Sequence, residues 1–156
     1  MIYQFEITGK CNLECETCFN WELMKKLEDI KIENILKKVS KRDIVYIGGG
    51  EPMIHPRVQE LVEKLVEIPT EVVISTNGTI YKSIPNEAQI QVSVWTLNPN
   101  LYKEMLKGTE NQLNNVKENI KRYISDGNSV LINMPVYEKN INEIQSVSDY
   151  ADNLRV

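Results

Sequence analysis

Ile44-Val45-Tyr46-Ile47-Gly48-Gly49-Gly50-Glu51-Pro52 is the stretch on which the fold turns. Its apolar residues form a short continuous run, the form of a parallel strand buried on both faces. The glycines stop it. Val58, Leu61, Val62 and Leu65 then recur at the spacing of one buried helix face, and Pro56 suits a first helical turn. Strand, glycine turn and helix make one βα unit, and similar units flank it. Upstream, Ile2 to Thr8 reads as a strand, and Ile32, Ile35, Leu36 and Val39 mark a helix. Downstream, Glu71 to Ser75 is a third strand ending in the turn signal Thr76-Asn77-Gly78. Ile90, Val92 and Val94 alternate with polar neighbours in a fourth strand. Leu113, Val116, Ile120 and Tyr123 mark a helix closed by Asp126-Gly127. Val130 to Val136 is a fifth strand whose ladder Pro135 should end, and Ile144, Val147, Ala151 and Leu154 give a last helix.

Five strands alternating with helices imply a parallel sheet built from right-handed crossovers. A closed eight-unit barrel needs about 250 residues, and this chain has 156. The sheet is then either an open, partial βα barrel or a doubly wound one, in a single domain over residues 1–156. Lys plus Arg number 18 and Asp plus Glu 22, a net charge of −4, so bulk nucleic-acid binding is not expected. No apolar run approaches the roughly 20 residues of a membrane span, and no leader pattern precedes residue 10. A cytoplasmic location is the expectation.

Cys11, Cys15 and Cys18 are the only cysteines, and their clustering argues against a disulfide framework. The spacing C-x3-C-x2-C suits three corners of a [4Fe–4S] cube with one iron left open. Zinc is the competing metal, but structural zinc takes four protein ligands, and the only histidine, His55, is distant and followed by a proline. Three buried, unligated thiols are the bland alternative.

The glycines of the opening stretch let backbone approach a ligand with no side chain in the way. An exposed Glu51 fixed by Pro52 could accept hydrogen bonds from a ligand's ammonium group. Alternatively, the run is only a tight strand-to-helix turn, and Ser75-Thr76-Asn77-Gly78 only a turn. All three segments nevertheless follow strands, and ligands sit at the carboxyl ends of parallel strands.

Taken in order, Cys11-x3-Cys15-x2-Cys18, Gly49-Gly50-Glu51-Pro52 and Ser75-Thr76-Asn77-Gly78 resemble the radical S-adenosylmethionine (radical SAM) superfamily. The wider context, Thr8-Gly9-Lys10-Cys11-Asn12-Leu13 and Met53-Ile54-His55-Pro56, resembles its peptide-maturation and molybdopterin-precursor branch. The resemblance implies a partial βα barrel, a [4Fe–4S] cluster and SAM on the open iron. One-electron reduction by an external reductant then cleaves SAM to methionine and a 5′-deoxyadenosyl radical that abstracts hydrogen from a substrate.

Residue by residue, the resemblance makes Cys11, Cys15 and Cys18 the cluster ligands. Gly49, Gly50 and Glu51, braced by Pro52, would hold the methionine amino group, chiefly through backbone atoms. Ser75, Asn77 and Ser93 would approach the carboxylate or ribose, and Asn133, Met134 and Val136 the adenine. Met134 and Val136 are equally plausible as core; Trp95 reads first as core, with a substrate-facing ring as its other reading. His55 belongs to the turn into the helix.

The chain departs from the family pattern in several places. Thr17 stands where an aromatic usually precedes the third cysteine, with Phe19 as its expected substitute. No sixth strand, no C-terminal extension and no second cysteine set are expected. Without the stretch that often marks glycyl-radical activases, that activity is a secondary reading. A non-catalytic iron–sulfur electron-transfer or redox-sensing module and a zinc-stabilised interaction domain are the others. An unpaired sheet edge leads to a final expectation: a peptide or protein substrate, a partner subunit or a homodimer completes the site, with a small metabolite as the alternative.

Overall fold

The computed structural model describes residues 1–18, 22 and 26–156. Five strands form one sheet: β1 (Ile2–Glu6), β2 (Ile44–Gly48), β3 (Glu71–Thr76), β4 (Gln89–Ser93) and β5 (Ser129–Asn133). They lie side by side in chain order, every neighbouring pair parallel. This order resolves the choice left by the sequence. A doubly wound sheet reverses direction at a switch point; here each connection steps the same way, so right-handed crossovers stack the helices on one face. The helices are α1 (Ile32–Leu36), α2 (Val58–Glu67), α3 (Pro99–Leu106), α4 (Glu110–Ser125) and α5 (Ile144–Leu154). Among the described residues no strand joins β5 back to β1, so the barrel is open.

Strand alternation separates the two faces. Ile47, Ile74, Ile90 and Val92 point to the helices and are fully buried with Ile35, Leu61, Leu65, Ile120 and Tyr123. Each such side chain contributes about 1.5–3 kcal/mol through burial. The opposite face carries Gln4, Glu6, Tyr46, Ser75, Gln91 and Ser93 toward an open lumen. The expectation that Ile44 to Ile47 is buried on both faces is therefore corrected. Tyr46 stays 37% exposed because no helix layer covers the inner face.

Two helices, not one, connect β4 to β5. Asn98 caps α3 by accepting hydrogen bonds from the Asn100 and Leu101 amides, and Pro99 occupies its first position. Thr109 and Gln112 form a capping box that starts α4. The apolar face of α3 gathers Leu13, Tyr102, Met105, Leu106 and Leu113 into a second core cluster, against which Cys11, Cys15 and Trp95 pack. β5 stops at Asn133, before Pro135, which has no amide to donate. No helix of the described residues is long and apolar enough to cross a membrane.

Candidate active site

The cysteine loop lies over the carboxyl ends of the strands, fastened on both sides by backbone. The Gly50 amide donates to the Thr8 carbonyl and the Glu51 amide to the Lys10 carbonyl, both at 2.8 Å. On the other side, the Glu14 amide reaches the Leu106 carbonyl at 3.2 Å and the Glu16 amide the Met105 carbonyl at 2.8 Å. The glycine run makes the first contact feasible. A Cβ at Gly49 would lie 2.4 Å from the Thr8 carbonyl oxygen, and one at Gly50 would lie 2.3 Å from that of Lys10. The close approach required of these glycines is thus first an approach to the cysteine loop itself. Their carbonyl oxygens accept nothing among the described residues and remain open to a ligand.

Glu51 overturns its expected exposure. It is fully buried, and its carboxylate accepts from the Met53 amide (2.9 Å), the Thr76 hydroxyl (2.7 Å) and the Asn77 amide (2.7 Å). Burial nonetheless holds its carboxyl above the ordinary range, against the lowering effect of those donors. The side chain ties the end of β2 to the end of β3 and does not line the cavity. Pro52 is buried with it, at the start of a 3-10 turn over Pro52–Ile54.

Asn77 continues this network to the thiols. Its side-chain amide donates to Asn12 Oδ1 at 3.0 Å and lies 3.9 Å from Cys11 Sγ, and Asn12 in turn donates to Thr79 Oγ1 at 2.8 Å. Lys139 adds a surface clasp, its Nζ 2.8 Å from Glu16 and 2.9 Å from Glu104.

Cys11, Cys15, Cys18, Gly49, Gly50, Ser75, Asn77 and Ser93 all line one cavity of about 570 Å³. Asn133, Met134 and Val136 do not. Because the ladder ends at Asn133, Met134 packs against the core, Val136 is 48% exposed, and Pro135 and Tyr137 face the cavity instead. Trp95 also lines it, stacked on Tyr137 with ring centroids 5.3 Å apart, so its reading as plain core is corrected. Phe19 lies outside the described residues. His55 is buried in its turn: Nδ1 accepts from the Arg57 amide and Nε2 lies 3.2 Å from the Ile30 carbonyl. Those contacts remove it as a fourth zinc ligand.

The donor set fits a cationic cluster. Among the described residues no metal-ready group of His, Cys, Asp or Glu side chains is already assembled, but three free thiols face one cavity. Burial, then the charges of Cys11 and Cys18, push the Cys15 thiol up to about 12, and burial first raises that of Cys11. Bound iron would reverse this by stabilising the thiolates. Two buried hydroxyls of the same region, Thr17 Oγ1 and Tyr102 OH, have no hydrogen-bond partner among the described residues.

An open parallel βα barrel with three thiols gathered over its carboxyl edge is the scaffold of a cluster-dependent enzyme core. The sequence profile of the radical SAM superfamily matches residues 5–151, and the chain belongs to that superfamily. The cofactors of that superfamily are a [4Fe–4S] cluster and SAM. It is 27% identical to a probable GTP 3′,8-cyclase of Methanococcus maripaludis, over 96% of this chain and 54% of that protein. It is 25% identical to the antilisterial bacteriocin subtilosin biosynthesis protein AlbA of Bacillus subtilis, over 96% of this chain and 36% of that one. In fold it is similar to Streptococcus suis SuiB bound to the precursor peptide SuiA, with a TM-score of 0.80 at 18% identity, covering 99% of this chain and 37% of SuiB. The chain spans about half the length of the cyclases it matches.

Proposed function

We propose that this chain is a single-domain radical SAM catalytic core, that Cys11, Cys15 and Cys18 ligate three irons of the cluster, and that its substrate is a peptide or protein. The observation that carries the reading is the meeting of three segments in one cavity: the thiol loop, the glycine run and Ser75–Asn77. The cofactor pair, reduced by an external one-electron donor, supplies a hydrogen-abstracting carbon radical. The chain's own part is to hold and align. The free carbonyls of Gly49 and Gly50 accept from the methionine ammonium group. Ser75, Asn77 and Ser93 offer polar contacts to the carboxylate and ribose, and Pro135 and Tyr137 form the wall assigned earlier to Met134 and Val136. Free thiols as ligands call for a reducing compartment, in keeping with the cytoplasm.

The open edge of β5 supports a peptide. Leu131, Val136, Tyr137, Ile141 and Ile144 are exposed apolar residues on or after that strand, and Tyr137 also lines the cavity. An extended peptide added to this edge would satisfy the strand and bring a side chain to the cavity mouth. A partner subunit or second copy of the chain could cover the same edge. AlbA, named for bacteriocin biosynthesis, and SuiB, seen with a precursor peptide, favour the peptide by analogy.

The test is anaerobic reconstitution, reduction with dithionite and addition of SAM. About four irons per chain and formation of 5′-deoxyadenosine are expected. Candidate precursor peptides should accelerate that formation and protect β5 amides from hydrogen exchange. Acceleration by a nucleoside triphosphate, with none by peptides, would overturn the peptide assignment.

A further inference from the structure

The lumen beneath the cysteine loop has a one-sided charge. Its polar inner-face residues are Gln4 and Glu6 of β1, Tyr46 of β2, Ser75 of β3, and Gln91 and Ser93 of β4. Among the described residues Glu6 is the only carboxylate lining the cavity, and no Lys, Arg or His lines it. Gln4 Nε2 donates to Glu6 Oε1 at 2.8 Å, which orients the carboxylate. Oε2 has no hydrogen-bond partner among the described residues. Glu6 pairs with Gly48 in the β1–β2 ladder, and a Cβ at Gly48 would stand 3.5 Å from Oε2. The carboxylate therefore lies over space that the missing side chain leaves open. Tyr46 and Gln91 also make no side-chain hydrogen bonds among the described residues, so their polar groups are free to engage a guest.

We infer that this lumen receives a positively charged substrate group, an ammonium or guanidinium, with Glu6 as its counter-ion, and not a nucleoside triphosphate. The inference rests on the reading above that the lumen takes the substrate, and it names the chemistry that the lumen selects. An ammonium or guanidinium group entering the lumen would make a charge-assisted hydrogen bond to the free oxygen of this carboxylate. A triphosphate has the opposite requirement. It needs lysines, arginines or clustered backbone amides, and placed against Glu6 it would meet like charge. The similarity to proteins named as GTP cyclases extends over 96% of this chain and 54% of the relative, yet among the described residues no cationic side chain reaches this wall.

The test uses cluster-loaded, SAM-saturated protein and equilibrium binding of N-acetyl-lysine methylamide, N-acetyl-norleucine methylamide and magnesium GTP. The lysyl probe should bind more tightly than its uncharged norleucine counterpart. Glu6→Gln, which keeps the shape and removes the charge, should weaken it about tenfold or more, the scale of one charge-assisted hydrogen bond. The same change should leave norleucine binding and the SAM-induced change in the cluster's EPR spectrum unaltered. Gln91→Glu, which adds a second carboxylate to the wall, should tighten lysyl binding and serves if Glu6→Gln does not fold. GTP binding to the wild-type lumen, or a lysyl affinity indifferent to both substitutions, would overturn the inference. Its failure is distinguishable from that of the broader reading. If 5′-deoxyadenosine forms and peptides accelerate it while no probe depends on Glu6, only the counter-ion assignment falls. If the lysyl probe binds through Glu6 and no peptide acts, the peptide assignment falls.

Discussion

Thr76 donates its hydroxyl to Glu51 Oε1 at 2.7 Å, joining the loops after β3 and β2 within the protein interior. The pair makes a pH-dependent prediction. Burial raises the Glu51 carboxyl above its ordinary 4.5. A carboxyl raised on folding favours the folded state fully below its unfolded value, and that contribution is lost as pH climbs through the folded value. Thr76→Val removes a donor to the charged form and raises the carboxyl further. Its cost in urea unfolding should be on the order of 1–3 kcal/mol at a pH above the raised carboxyl value and smaller below 4.5, where Glu51 is protonated. Equal costs at both would show that Thr76 does not serve the carboxylate.

Gly50 and Gly48 should respond unequally to alanine. At Gly50 the new carbon would sit 2.3 Å from the Lys10 carbonyl oxygen, a contact with main chain that must move. A loss of about 1–3 kcal/mol and poorer iron retention are expected. At Gly48 the nearest atom is Glu6 Oε2 at 3.5 Å, an ordinary contact, and the loss should stay within about 1 kcal/mol. Calorimetry and iron analysis of the two variants decide the matter; similar behaviour would mean that the loop adjusts freely.

Tyr102 is 4% exposed, and its hydroxyl has no partner among the described residues. Burying a hydroxyl without a hydrogen bond is unfavourable, so Tyr102→Phe should leave the cluster-free protein as stable or more stable, by about 1 kcal/mol. With the cluster loaded, a hydroxyl engaged by cluster sulfur would shift the reduction potential downward on removal. A destabilised cluster-free variant would reveal a partner that the hydroxyl does not have in this structure.

The Lys139 clasp predicts a salt effect. Lys139→Met frees Glu16 from its ion pair, so in the cluster-free protein an alkylating reagent should reach Cys15 and Cys18 faster. Concentrated salt, which shortens screening to about 3 Å at 1 M, should bring the wild type toward the variant. Alkylation rates independent of both salt and substitution would remove the clasp's role.

Local patterns carried much of this fold in the sequence. Ile90, Val92 and Val94 announce β4 by alternation, and Leu61 and Leu65 mark the buried face of α2 at one-turn spacing. The three cysteines and the glycine run also stand together in space as their strand ends imply. Other features depend on contacts that no local pattern encodes. Glu51 is buried because Thr76 and Asn77 arrive from 25 and 26 residues away. Helix α3 is only eight residues long and was readable only through its Asn98-Pro99 start. At β5, Pro135 marks the end of the ladder but not the direction the chain then takes, so Met134 and Val136 were assigned where Pro135 and Tyr137 stand. Gln4 and Glu6 alternate with Tyr3 and Phe5 in plain view, but which face of the strand looks inward depends on the barrel's curvature.

The attachment of the thiol loop has an evolutionary consequence. Gly50, Glu51, Glu14 and Glu16 fasten it through their amides to carbonyls of Thr8, Lys10, Leu106 and Met105, so main-chain atoms carry these four links. Side chains at Glu14 and Glu16 can therefore drift without cutting those links. Variation there can alter the surroundings of the thiols while their framework is inherited intact. Gly49 and Gly50 are the price of that freedom: the loop's variability is bought with two positions that admit almost no change.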